Sequence, residues 1–170
     1  SSMAIMWHHG EPEDGILQVR IDREDRPVNS FSQATLEELR DLLVHIRNNG
    51  NIRGVLFRSG KSGNFIAGAD VTEMKDREGE AAAREISQLG QKIFDQLAAV
   101  KIPTVALISG ACLGGGLEFA MACRYRLADE SSKTKLGLPE VKLGLIPGWG
   151  GTVRLPKLIG VFDALPMILT

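Results

Sequence analysis

The chain has 170 residues and a formal charge of −1, with 44% apolar and 24% charged residues. That is the size of one ordinary domain, with enough apolar content for a sizeable core, and the charge balance gives no ground for a nucleic-acid or anionic-membrane partner. Nineteen glycines are the one departure from ordinary composition; glycine gathers where backbone must turn tightly or approach a ligand closely.

The two cysteines, Cys112 and Cys123, sit in apolar, helix-like surroundings, and a reduced intracellular protein is the simplest account of them. No apolar run is long enough to span a bilayer, so no transmembrane segment is expected. The N-terminus lacks the basic-then-apolar pattern of a signal peptide. Residues 1–15 read as an N-terminal extension, with Ser1-Ser2 before Met3 a remnant of expression. At the other end, VFDALPMILT reads as a helix that stops without a cap, as if cut from something longer.

In chain order, residues 16–21 alternate apolar and polar and predict a strand. The polar stretch REDRPVNS follows as a loop. Ser32 or Thr35 can cap a helix running to about Asn48, with Leu36, Leu39, Leu42, Leu43 and Ile46 at helical spacing. GVLFRS, residues 54–59, reads as a short apolar strand. The loop GKSGNFIAGAD then leads to a short helix near residues 71–75. Residues 80–100 predict a long amphipathic helix with Ile86, Leu89, Ile93, Leu97 and Val100 on one side, a packing face. A strand over 104–108 follows Pro103, and Gly114-Gly115-Gly116 opens a helix through about Cys123. Residues 124–129 and 135–138 read as strands, and a loop through Pro147-Gly148-Trp149 leads to final helices. Strands alternating with helices predict an α/β architecture with mostly parallel sheet. GVLFRSG and TVALISG both end in Ser-Gly before a small-residue turn into a helix, a faint echo of stacked strand–helix units.

Four segments carry chemistry. In GACLGGGLEFA (110–120), three glycines after a strand let the backbone turn sharply, and the helix that follows points its free N–H groups back at whatever lies there. Glu118 lies three residues beyond Gly115, on the same helical face; the plain alternative is a capping-box glutamate. NFIAGAD (64–70) is a second small-residue turn entering a helix, with Asp70 a natural N-cap. Alone it is weak, but two N–H groups from two separate turns are what an oxyanion hole requires. GLPEVKLG (137–144) puts Glu140 among apolar residues, where a carboxylate is costly unless paired, protonated or exposed; otherwise it is a surface loop residue. In IPGWGGTVRLP (146–156), the glycines form another turn and are assigned no chemistry. The histidines His8, His9 and His45 form no ligand cluster with the cysteines, so no metal is expected.

Together, FIAGAD, GACLGGGLEFAMAC and GLPEVKLGLIPGWGGTVRLPKLIG resemble the crotonase superfamily, over nearly the whole chain from about Ile16 onward. The branch resembled most is the hydratase portion of multifunctional fatty-acid oxidation proteins, the α subunits of β-oxidation complexes. The resemblance implies a crotonase-like spiral of repeated ββα units for residues 16–170, truncated at the C-terminus, where relatives continue with further helices. It implies coenzyme A thioesters as substrates, with no metal or redox cofactor, and a homo-oligomer or a fatty-acid oxidation complex as the assembly. The compartment implied is the cytoplasm of a bacterium or the mitochondrial matrix of a eukaryote.

Residue by residue, the resemblance implies that the N–H groups of Ala69 and Gly115 are oxyanion-hole donors. Glu118 and Glu140 match the two catalytic carboxylates of hydratases. Ala67 and Gly68 match the strip touching the adenine end of coenzyme A, with Asp70 and Gly114 also at the substrate. Arg26 to Val28 match the loop near its phosphates. The activity expected is hydration of 2-enoyl-CoA. The alternatives are a Δ3-Δ2-enoyl-CoA isomerase, a type that often keeps one of the two glutamates, or a weakly active binding fragment of a larger protein.

Overall fold

The computed structural model describes residues 4–70, 72–73 and 80–138. Its strands are β1 (Trp7–His9), β2 (Ile16–Ile21), β3 (Gly54–Ser59), β4 (Asn64–Ile66), β5 (Thr104–Ile108), β6 (Ala111–Leu113), β7 (Tyr125–Ala128) and β8 (Lys135–Gly137). Its long helices are α1 (Gln33–Asn48), α2 (Glu80–Ala98) and α3 (Gly115–Ala122). The strands divide between a five-stranded sheet, in the order β1-β2-β3-β5-β7, and a three-stranded sheet, β4-β6-β8. All pairings are parallel except β1 with β2.

The parallel pairs follow from one repeated unit. β3 turns a corner into β4 and then α2; β5 turns a corner into β6 and then α3; β7 turns into β8. Each unit gives one strand to each sheet, so successive units stack strand on strand. This is the ββα arrangement that the resemblance implied, and it corrects the reading of the two Ser-Gly echoes. Ser59-Gly60 and Ser109-Gly110 turn one strand into another, not a strand into a helix. β4 and β6 escaped the sequence reading because each has three residues, too few for an alternation. Their definition comes from partners in distant units.

α1 begins at Ser32, whose Oγ accepts from the Thr35 N–H at 3.1 Å while Thr35 Oγ1 accepts from the Ser32 N–H at 2.8 Å. Both candidate caps thus take part in one reciprocal box. Leu36, Leu39, Leu42, Leu43 and Ile46 are all buried, as their spacing predicted. On α2, Ile86, Ile93 and Leu97 are buried and Leu89 packs against the core, as does Val100 just past the helix end at Ala98. Thr72 and Glu73 are helical, where a short helix was expected.

The core centres on Phe119. Its ring lies 5.1 Å from Phe57, 5.2 Å from Trp7 and 6.0 Å from Phe94, centroid to centroid. Buried aromatic contacts of this kind add to the gain from removing apolar area from water. The site helix α3 is therefore pinned by the residue next to Glu118. Trp7 lies within residues 1–15, whose sequence predicts only an extension. Its indole N–H donates to Thr35 O at 2.9 Å, and the Glu38 carboxylate accepts the N–H groups of Ile5, Met6 and Trp7. A three-residue strand is too short to show an alternation of its own; tertiary partners make it one.

Candidate active site

Two corners meet at the start of α3. The first is Ala67–Asp70, which runs beside residues 29–31. Ala67 N–H donates to Asn29 O, Phe31 N–H to Gly68 O, and Asp70 N–H to Phe31 O, each at 2.8 Å. This parallel bridge between Phe31 and Ala69 uses the groups on either side of Ala69. Ala69's own N–H is left out of the pairing.

The second corner is Gly114–Glu118. Gly114 is the N-cap of α3, with φ +52° and no side-chain cap; its N–H donates to Gly137 O at 2.8 Å. Every residue of α3 is buried. A buried helix start exposes amide donors that must find a partner, and it carries the positive end of the helix dipole. Among the described residues, no acceptor takes the N–H of Gly115 or of Ala69.

Glycine is what allows the corners to touch. A Cβ on Gly116 would lie 2.1 Å from Ile66 O. A Cβ on Gly68, at φ +107°, would lie 3.4 Å from Leu113 O and 3.7 Å from Gly115 N. The turn carrying Ala69 therefore abuts the first amide of α3. Glu118 sits in that first turn and is 1% exposed. Glu140, and with it the turn at 146–151, lies outside the described residues.

Of the strip expected at coenzyme A, Ala67 is exposed and Gly68 is buried. Val28 is 41% exposed, and Asn29, the next residue, holds the Ala67 N–H. Arg26 is half-exposed and engaged: its guanidinium reaches Asp70 Oδ2 and Asp25 Oδ2, each at 3.2 Å. Lys61, not singled out in the sequence, adds a cation here. Its Nζ donates to Arg26 O at 3.0 Å and to Asp22 at 3.1 Å. Nothing in GKSGN marked it, because its neighbours come from other segments.

Asp70 does cap the short helix, accepting the Thr72 N–H at 3.0 Å as well as its hydroxyl. Burial works against its charged form. The bonds from Thr72, the Glu73 N–H and the Arg23 guanidinium outweigh that, holding the carboxyl below the usual range. Arg23 itself is 2% exposed, and nothing in the sequence pointed to it. Asn29, fully buried, joins Ile21, Ser59 and Phe65 through its side-chain amide.

The remaining reactive groups stand apart. Burial pushes the Cys123 thiol up to about 12 and Cys112 higher still, so neither is a ready nucleophile. Among the described residues no His, Cys, Asp or Glu cluster is arranged to hold a metal. A groove of about 820 Å³ lies between the C-terminal ends of α1 and α2, lined by residues such as Leu43, Ile52 and Ile102. It sits at the starts of β3 and β5, whereas the two corners lie beyond the ends of those strands, and it contains none of the site residues.

The family model described as "Enoyl-CoA hydratase/isomerase" matches residues 11–170. The chain is 47% identical over 158 residues to a protein named "Fatty acid oxidation complex subunit alpha" from Idiomarina loihiensis, and covers 22% of it. A protein of the same name from Shewanella frigidimarina is 42% identical over 169 residues, with 24% of it covered. A crystal structure of an enoyl-CoA hydratase from Bacillus anthracis superposes with a TM-score of 0.88 at 36% identity, covering 95% of this chain and 61% of that one. The chain thus spans under a quarter of the length of the two relatives in sequence and about three-fifths of that solved structure.

Proposed function

The chain belongs to the enoyl-CoA hydratase/isomerase family, and on that premise we propose that it is the hydratase part of a fatty-acid oxidation protein, adding water across the C2=C3 double bond of a 2-enoyl-CoA. The observation that carries this reading is the buried, uncapped start of α3 packed against the Gly68–Ala69 turn, with Glu118 in its first turn. Attack at C3 moves negative charge onto the thioester oxygen, forming an enolate. Two amide donors, Ala69 and Gly115, with the α3 dipole behind the second, stabilise that charge, each by about 3 kcal/mol on the scale of measured oxyanion-hole donors.

Water must lose a proton as it attacks, and C2 must gain one. In this proposal Glu118 takes the proton from water and Glu140 delivers one to C2. No metal or redox group takes part. Arg26, Val28, Ala67 and Gly68 form the edge along which coenzyme A lies, with Asp70 and Gly114 behind it. The working assembly is a homo-oligomer or an oxidation complex, in a bacterial cytoplasm or a mitochondrial matrix. Among the described residues, no helix is long and apolar enough to cross a membrane.

The test is Glu118→Gln and Glu140→Gln, which keep shape and remove proton exchange. Each should slow crotonyl-CoA hydration by roughly 100-fold or more, with thioester binding retained because the amide donors are untouched. The double variant should lose less than the product, since groups acting as one unit are not additive. Near wild-type hydration in either single variant removes that residue from the mechanism. If the spared residue were Glu140, the one-carboxylate isomerase would replace the hydratase as the reading.

A further inference from the structure

We propose that Arg23 is a positioning residue that sets the oxyanion-hole donor of Ala69 through the Asp70 carboxylate. This rests on the oxyanion-hole reading above and extends it to a residue more than one side chain away from the reacting atoms.

Arg23 lies in the loop after β2 and is 2% exposed. A buried guanidinium is costly unless its N–H groups are paired, and here each of its nitrogens has a partner. Nε donates to Asp25 at 3.1 Å, Nη1 to Ser30 O, Ser30 Oγ and Asp70 Oδ2, each at 3.1 Å, and Nη2 to Glu73 at 3.3 Å. One side chain therefore ties residues 25–30 to residues 70–73. Those are the two segments whose backbones bridge at Phe31 and Ala69.

The consequence for Ala69 is geometric. Its turn is bonded on the Gly68 side through the Phe31 N–H and on the Asp70 side through Phe31 O. The Gly68 side has a glycine at φ +107°, which imposes little stiffness of its own. The Ala69 N–H shares its peptide plane with Gly68 O, which accepts from the Phe31 N–H, and that N–H in turn shares its plane with Ser30 O, which Arg23 holds; on the other side of Ala69, Asp70 is the first residue whose side chain anchors the turn. Its Oδ1 is taken by Thr72 and its Oδ2 by Arg23 and Arg26. Of those two guanidiniums, Arg26 is half-exposed on the edge proposed for coenzyme A, and an anionic group arriving there competes for it. Arg23 is out of reach of that competition. It keeps Asp70, and with it the direction of the Ala69 N–H, when substrate occupies Arg26.

The experiment uses the full-length protein, with Arg23→Lys, Arg23→Met and Asp70→Asn variants. Butyryl-CoA carrying carbon-13 at the thioester carbonyl is bound to each, and its carbonyl band is read by difference infrared spectroscopy. It has no double bond to hydrate, so the band reports hydrogen bonding to the carbonyl alone. Wild type should shift the band to lower frequency. Arg23→Met and Asp70→Asn should lose most of that shift, with Arg23→Lys between them and wild type, and the dissociation constant of free coenzyme A for Arg23→Met should stay within about threefold of wild type. With crotonyl-CoA, kcat should fall on the order of 100-fold while KM changes little, as expected when a catalytic group is misplaced, not removed.

A folded Arg23→Met variant that keeps both the shift and kcat overturns the proposal. If Arg23→Met does not fold, Arg23→Lys decides on the same readings, and an unchanged shift and kcat there overturn it equally. A wild-type protein that binds butyryl-CoA without any shift removes the oxyanion hole itself, and the inference with it.

Discussion

The corners after β3 and β5 follow the same backbone plan and are held by opposite means. The first is tied by side chains: Ser59 and Asn29 bond its backbone, Asn64 Oδ1 accepts the Asn29 N–H, and Arg23 bonds Asp70 at its far end. The second is held chiefly where side chains are absent, with backbone meeting backbone at Gly110 and Gly116, and a single side chain, Thr134, takes the Gly110 N–H on its Oγ1 at 2.8 Å. A polar tether tolerates small steric changes but fails when a partner or a proton changes. Close backbone packing ignores pH but admits no added carbon. A site assembled from both needs each corner fixed to within a fraction of an ångström, and the chain reaches that by two independent routes.

The glycines of the two Ser-Gly pairs test this most severely. A Cβ on Gly110, at φ +86°, would sit 2.1 Å from the Gly63 carbonyl carbon and 2.4 Å from Asn64 N. Gly110→Ala should destabilise the fold by about 3 kcal/mol or more, combining strain and overlap. At Gly60 the nearest atoms are 3.0–3.1 Å away and belong to the side chains of Asp22 and Arg20. These can move, so Gly60→Ala should stay within about 1 kcal/mol. Urea titration of the two variants side by side would measure it; equal losses would break the contrast.

Next in size is the buried hub of the first corner. Asn29→Ala leaves the Arg23 N–H without its side-chain acceptor and takes one donor each from Ile21 O and Phe65 O, and should lower stability by about 2–3 kcal/mol. The same urea titration reads it, and a loss near zero would mean that the tether is ornamental.

Acid separates the corners in a third way. Asp70 has its folded-state affinity for protons lowered, chiefly because the bonds from Thr72 and Glu73 and the Arg23 charge overcome its burial. A group depressed in the folded state adds stability above its unfolded value, about 4. That stability disappears as pH falls through the lower folded value. Wild type should therefore lose stability below about pH 4 more steeply than Asp70→Asn, which lacks the titrating group. Melting curves from pH 6 downward check this; parallel curves would remove Asp70 from the linkage.

The smallest effect concerns the two serines. Ser59 Oγ donates to Asn64 O at 2.6 Å and accepts from Lys61 N and Asn29 Nδ2. Ser109 Oγ reaches only the exposed Asp129. Ser59→Ala should lose about 1–2 kcal/mol and Ser109→Ala under about 0.5. Thermal melts resolve a difference of that size, and a reversed order would show that the Ser109–Asp129 contact holds the second corner more firmly than Ser59 holds the first.

The chain's local patterns determined a good deal unaided. The spacing of Leu36 to Ile46 and of Ile86 to Leu97 marked two helices and their buried faces, because helical periodicity is written in the residues of one segment. Gly114-Gly115-Gly116 before an apolar helix marked a turn with free amides, and Glu118 three residues on was placed on its face. Tertiary structure alone decided the rest. It decided that Trp7–His9 is a strand, that β4 and β6 form a second sheet, and that Arg23, Asn29 and Lys61 hold the first corner. Each of these depends on a hydrogen-bond partner tens of residues away, whose identity no local period records. It also decided which glycines are indispensable: Gly60 and Gly110 both follow a serine at the end of a strand, and only the approach of Gly63 and Asn64 sets Gly110 apart.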